Sequence, residues 1–173
     1  LLLPLVLLSL SFVACESTSD TSELSLSERE TSDLQFMVEE EQLARDVYQH
    51  FHDQYGTNIF ANIAESEQRH MDAIEELLDY YGIENPSTGV AGQFSTTALQ
   101  DLYQSFIEYG EVSLSDALTV GATIEDLDIK DLFVATANTN KERIYTVYES
   151  LRCASRNHMR AFSGRLSDQG VSY

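Results

Sequence analysis

The sequence predicts an all-α protein, an antiparallel bundle of four long helices with one extra short helix in the crossover region. Three observations predict it. Apolar residues recur at three-and-four spacing through four long segments, the pattern of helices with one buried stripe. No run shows the strict alternation of a half-buried strand, and no internal repeat is visible. The breaks between segments are short, which favours antiparallel neighbours.

The first helix is predicted over about 33–54, capped by Ser32 or Asp33 and closed at Tyr55-Gly56. The second starts near Thr57 or Asn58 and stops at Gly82. A loop, IENPSTGVAGQF, carries Pro86, Gly89 and Gly92. The short helix covers about 97–109, with Leu99, Leu102, Tyr103, Phe106 and Ile107 as its apolar face. Gly110 breaks it, and SLSD at 113–116 reads as a capping box for a helix running to about Asn138, with an irregularity expected at Gly121. The last helix is predicted over about 139–167.

A chain of 173 residues accommodates one domain with a sizeable core, placed here at 34–173. Ahead of it, residues 1–14, LLLPLVLLSLSFVA, read as the apolar part of a secretory signal, too short for a membrane-spanning helix. They lack an initiator Met and a basic segment, so the front is read as truncated. Ala14-Cys15 resembles a bacterial lipobox, although Phe12 stands where Leu is commoner. Cys15 is then the expected lipidation site, and the lipid anchor the expected link to a membrane, with cleavage elsewhere as the alternative. Residues 15–33 are almost all Ser, Thr, Glu and Asp, too poor in apolar surface to order themselves, and read as a tether. The expected location is the cell envelope. Only Cys153 then remains, without a disulfide partner, and it reads as a small packed residue on the last helix.

Lys and Arg number 10 against 29 Asp and Glu, a formal charge of -19. That charge repels nucleic acid and anionic lipid headgroups. It can also attract cations, although solubility or a saline habitat is the favoured explanation.

Several apolar stripes are interrupted by polar residues. Glu41 interrupts the first helix, in the stripe Leu34, Met37, Ala44, Tyr48, Phe51. Glu67 and His70 interrupt the second, Glu125 and Asp128 the third long helix, and Ser155 and His158 the last. Every long helix thus aims an ionisable group inward. A buried unpaired carboxylate costs several kcal/mol, and no Lys or Arg accompanies these groups on the stripes. One or two divalent transition-metal ions satisfy carboxylates and imidazoles together. Glu67 and His70, three apart, share a helix face and can reach one ion. Glu40 is the alternative to Glu41 within the run EEE at 39–41, whereas Glu39 falls about 200 degrees off the stripe. His50 and His52 lie off the stripe or at its margin and are read as solvated.

The blocks EEEQLARDVY, NIAESEQRHMDAI, GATIEDLDIKDL and SRNHMRAF resemble those of the DUF2202 family, placed in the ferritin-like superfamily. The resemblance covers about residues 35–173. It implies a ferritin-like four-helix bundle with a carboxylate-bridged dinuclear centre, whose pattern is Glu, Glu-x-x-His, Glu, Glu-x-x-His. Glu41, Glu67 with His70, and Glu125 match the first three parts, and His158 the end of the fourth. Tyr48, seven residues after Glu41, matches a tyrosine of ferritins and rubrerythrins. Ser155 departs, standing where the last Glu belongs. Asp128 can replace that carboxylate or pair with Arg45 or Arg160 beside the site; Tyr48, Ser155 and Arg45 are expected around the ligands.

The expected function is metal binding, iron first, with Fe(II) oxidation by dioxygen or reduction of a peroxide at a mono- or dinuclear centre. The alternatives are a non-catalytic module for metal capture or sensing, and a structural lipoprotein whose acids pair by hydrogen bonds. No rubredoxin-like CxxC pair is present, so a reductant is expected to come from outside.

Overall fold

The computed structural model describes residues 24–173. The predicted signal segment, Cys15 and the first part of the predicted tether lie outside them. The described residues form five helices and no strand: α1 (Glu28–Tyr55), α2 (Asn58–Tyr81), α3 (Thr97–Gly110), α4 (Leu114–Asn138) and α5 (Glu142–Asp168). None of these helices is long and apolar enough to cross a membrane.

α1 starts five residues earlier than the sequence reading placed it, so 28–33 are helix rather than tether. The cause is a capping box one turn upstream of the expected cap. Ser27 Oγ accepts from Glu30 N at 3.2 Å, and Glu30 Oε2 accepts from Ser27 N at 2.8 Å. Thr139 Oγ1 also donates to Glu30 Oε1 at 2.8 Å, so the α4–α5 corner holds this first turn in place. That corner also delays α5, which starts at Glu142 after an extended Thr139.

Gly56 and Gly82 end α1 and α2 at φ values of 65° and 67°, the left-handed conformation glycine adopts without strain. Ser113 caps α4 by accepting from Asp116 N at 3.1 Å, but only this half of the expected capping box forms: Asp116 Oδ2 accepts from Ser113 Oγ at 2.6 Å rather than from its backbone N–H. The four long helices close a ring, α1 packing on α2 and α4, and α5 on α4 and α2. α3 and the 82–96 crossover cover the outer side of α1 and the start of α4.

Two apolar clusters fill the ring. One, near the α1–α2 turn, includes Val47, Phe51, Phe60, Leu118 and Phe162; the other, at the opposite end, includes Leu34, Ile74, Leu132, Ile144 and Tyr148. The polar groups of the stripes lie between them. α4 continues unbroken through Gly121, where an irregularity was expected. Its glycine is required by packing: a Cβ there would sit 2.6 Å from Cε1 of the fully buried Phe162 ring. Gly121→Ala is therefore expected to destabilise the fold by about 1–3 kcal/mol, measured by urea or thermal unfolding. An unchanged midpoint would show that the α4–α5 contact can relax.

Candidate metal centre

Five of the expected residues converge from four helices: Glu41 from α1, Glu67 and His70 from α2, Glu125 from α4 and His158 from α5. The carboxylates are 1–2% exposed and His70 is 7% exposed. They form two groups. Glu41, Glu67 and His70 offer ligand atoms all within 4.8 Å of one another, and so do Glu67, Glu125 and His158. Glu67 belongs to both. Its Oε2 lies 2.6 Å from His70 Nδ1, and its Oε1 lies 2.9 Å from His158 Nδ1. Glu41 Oε2 adds a 3.1 Å contact to His70, and Glu125 Oε2 a 3.4 Å contact to His158. The two imidazoles stack at a centroid distance of 5.6 Å.

These contacts are short, yet several lack the direction of a hydrogen bond. Glu41 Oε1, Glu67 Oε1 and His158 Nδ1 are buried without a hydrogen-bond partner. Buried polar atoms are rarely left so, and donors that converge on a common point rather than on each other are arranged as ligands are. With protons as the only cations, the electrostatics are strained. Burial raises Glu41 to about 8 against the pull of His70, and raises Glu125 to about 7. Burial also acts to raise Glu67, but His158 and His70 outweigh it and hold this carboxyl at about 2. Burial disfavours charge on the imidazoles too, yet their carboxylate neighbours raise His70 to about 11 and His158 to about 10. Two imidazolium ions thus supply the positive charge that the carboxylates require. A divalent cation supplies the same charge and lets both histidines act as neutral ligands, so the residues fit a metal.

Tyr48, fully buried, donates from Oη to Glu125 Oε1 at 2.6 Å and fixes that carboxylate. Ser155 is buried and hydrogen-bonded to Asp128 Oδ2 and, at 2.9 Å, to Leu151 O. Asp128 is thereby held beside the centre but belongs to neither three-residue group. Arg45 is not at the centre. It pairs with Asp46 at 2.7 Å and donates to Gln68 Oε1 at 2.7 Å, on the outer side of α1 and α2. Arg160 is exposed and turned to Asn157. Neither arginine pairs with Asp128, whose partner is the closer hydroxyl of Ser155.

Cys153 is exposed rather than packed, because its position on α5 faces away from the ring. His50 contacts Glu111 at 3.0 Å and His52 contacts Thr57 O at 3.3 Å, both remote from the centre.

The sequence reading missed the burial of Glu39 and Glu40. Glu39 accepts from Ser95 N, from Thr96 N at 3.2 Å and from Thr96 Oγ1 at 2.6 Å. It thus caps α3, whose own N-cap Thr96 makes no side-chain cap. Glu40 turns to α4, where Asp128 is the charge that acts on it most strongly. The run EEE at 39–41 was the available signal, but periodicity around α1 alone does not say that three sides of the helix are covered.

Fold and site together define an all-helical bundle protein with a buried carboxylate–histidine cluster able to hold metal. The chain belongs to the DUF2202 family: the family model described as "Uncharacterized protein domain (DUF2202)" matches residues 30–173. It is 49% identical over 149 residues to the protein MJ0754 of Methanocaldococcus jannaschii, covering 86% of this chain and 80% of that one. The crystal structure of MJ0754 superposes with a TM-score of 0.85, covering 86% of each chain.

Proposed function

We propose that this protein is a ferritin-like metal protein that holds one or two divalent transition-metal ions, iron first, between its four long helices. One observation carries the reading: the two oxygens of Glu67 face two different histidines, each backed by a carboxylate from another helix. Two mixed nitrogen–oxygen donor sets share one carboxylate, Glu67. Mixed imidazole and carboxylate donors suit iron, manganese or zinc, and the ring of helices supports the ferritin-like assignment.

The roles follow from position. Glu41, Glu67 and His70 would hold one ion, and Glu67, Glu125 and His158 the other. Tyr48 keeps Glu125 oriented through its hydrogen bond. The apolar clusters above and below keep bulk water from the centre. With two Fe(II) ions bound, the centre would supply the two electrons that, with two protons, reduce hydrogen peroxide to two waters, dioxygen being the alternative oxidant. The apolar residues 1–14 and Cys15 support a lipid-anchored protein of the cell envelope.

Metal capture without turnover is favoured by one feature, Ser155. A serine leaves the second position one carboxylate short, which weakens a dinuclear centre more than a mononuclear one.

The experiment is anaerobic Fe(II) reconstitution followed by peroxide or dioxygen, read as bound iron per chain and oxidant consumed. One or two bound equivalents with oxidant consumption above a buffer control is the expected result. Tight binding without consumption selects the capture reading. No stoichiometric ion of any transition metal overturns both.

A further inference from the structure

Asp128 and Ser155 form a buried pair that the two ligand groups do not use. Asp128 is 6% exposed, Ser155 is fully buried, and they are hydrogen-bonded across α4 and α5 through Asp128 Oδ2. Asp128 Oδ1 is buried without a hydrogen-bond partner. A carboxylate with one oxygen held and the other orphaned is costly in a protein interior unless a cation completes it.

Helix directions place this pair. The short connections at 56–57 and 139–141 fold α2 back along α1 and α5 back along α4. Tyr48 donates to Gly121 O at 3.3 Å and Asn138 donates to Asp33 Oδ2 at 3.0 Å, so α1 and α4 also run in opposite directions. α2 and α5 are therefore antiparallel too. His158 meets Glu67 at 2.9 Å and Glu125 at 3.4 Å, which puts these three residues at one level of the ring. One turn along from that level, in a common direction, come His70 on α2, Asp128 on α4 and Ser155 on α5. Glu41 joins this second level from α1 through its 3.1 Å contact with His70. Asp128 thus shares a level with the Glu41–His70 end of the centre, although it stands outside both compact groups. The electrostatics agree: after burial, Glu41 does most to raise Asp128, followed by Glu125.

Resting on the metal reading above, we propose that Asp128 is a further donor to the ion held by Glu41, Glu67 and His70, drawn in when that ion is bound, with Ser155 as its positioning residue. A serine suits that role in two ways. Its short side chain leaves room for a carboxylate from α4, and its hydroxyl fixes Oδ2 so that Oδ1 is the free atom. Ser155 is itself anchored, by a 2.9 Å bond to Leu151 O within its own helix. The centre is then asymmetric. Its Glu41 end offers three carboxylates and one imidazole, which suits a harder ion than the Glu67, Glu125 and His158 end does.

The test uses Co(II), whose visible absorption reports how many donors hold it, in anaerobic titrations of the full chain. Asp128→Asn keeps the volume and an oxygen for Ser155 but loses the charge. It is placed in two backgrounds: His158→Ala, which leaves the Glu41–Glu67–His70 ion, and His70→Ala, which leaves the other. In the first, Asp128→Asn is expected to weaken Co(II) at least about 10-fold, the lower end of what even indirect partners of ligands cost, and to change the absorption. In the second, affinity and absorption should not move. Ser155→Ala should weaken the same ion less and add nothing in the Asp128→Asn background, as a residue acting through another does. Equal affinity and absorption with and without Asp128→Asn in the His158→Ala background overturn the inference and leave the centre standing. Equal weakening in both backgrounds also overturns it, since a structural role gives that result. No bound ion in the wild type overturns the inference and the centre together. If Asp128→Asn does not fold, Asp128→Glu takes its place: a change confined to the His70-dependent ion supports the inference, and no change overturns it.

Discussion

Replacing Glu67 and His70 together by alanine is expected to lower bound metal from one or two equivalents per chain to background, with helical content retained. Glu67 is the residue both ligand groups share, so its loss damages both positions, whereas His70 serves only one. A graded series follows. Glu67→Ala alone should weaken every bound ion by at least about 100-fold, the upper end of what even indirect partners of ligands cost. His70→Ala or His158→Ala should remove one equivalent and spare the other, if two are present. The fold should tolerate the change, because removing a buried acid together with its imidazolium partner leaves no uncompensated charge from that pair. Elemental analysis per chain, beside circular dichroism, reads both. Equal metal content in wild type and Glu67→Ala would remove the bridging role, and a metal-free wild type of equal stability would leave the acids a purely structural explanation.

The second large effect is on stability against pH in chelator-treated protein, which is expected to fall as pH rises from about 5 to about 8. The sign comes from proton counts. Glu41 at about 8 and Glu125 at about 7 lie above the ordinary carboxylate value, so the folded state holds protons that the unfolded chain has lost. Stability then declines with pH from about 4.5 upward. His70 at about 11 and His158 at about 10 also lie above their ordinary value. Their contribution is complete below about 6.5 and is lost as pH climbs through those folded values. Glu67, held at about 2, has the opposite sign. It contributes fully above about 4.5 and loses its contribution as pH falls toward 2.

Near neutrality the raised groups dominate, at about 1.4 kcal/mol per proton per pH unit. Surface acids repel one another over the same range, so Glu125→Gln is the internal control. It should flatten the profile between about pH 4.5 and 7, because one titrating group is gone while the Gln retains an oxygen for Tyr48. Thermal melts across pH at constant ionic strength measure the slope. Saturating divalent metal should both raise the melting temperature and reduce the slope, since the ion takes the place of the protons; at a hundred times the dissociation constant the gain is about 2.7 kcal/mol. A profile that rises from pH 5 to 8, or a variant as steep as wild type, would contradict the picture of mutually raised buried acids.

The amino-acid sequence by itself determined the elements and the inward-facing stripe residues. Three-and-four periodicity located all five helices, because each long helix must bury one apolar stripe, and α2 and α4 follow their predicted bounds. The same periodicity placed Glu41, Glu67, His70 and Glu125 in the interior, since a residue on a buried stripe is buried whatever its chemistry. Ser27 and Glu30 were equally legible as a capping box, but the polar stretch around them disguised it.

Tertiary structure alone decided the rest. A helix pattern records one core face, whereas α1 is covered on its outer side as well, by the crossover and α3. Gln42 donates there to Val90 O and Gln93 O, and Asp46 accepts from Gly92 N. Glu39 therefore became a cap for a distant helix, and Glu40 was buried on the side of α1 that feels the charge of Asp128, although neither Glu39 nor Glu40 lies on the predicted stripe. Which acids meet is set by the register between helices far apart in sequence. That register comes from the packing of whole surfaces, such as Phe162 against Gly121, and no spacing within one helix encodes it.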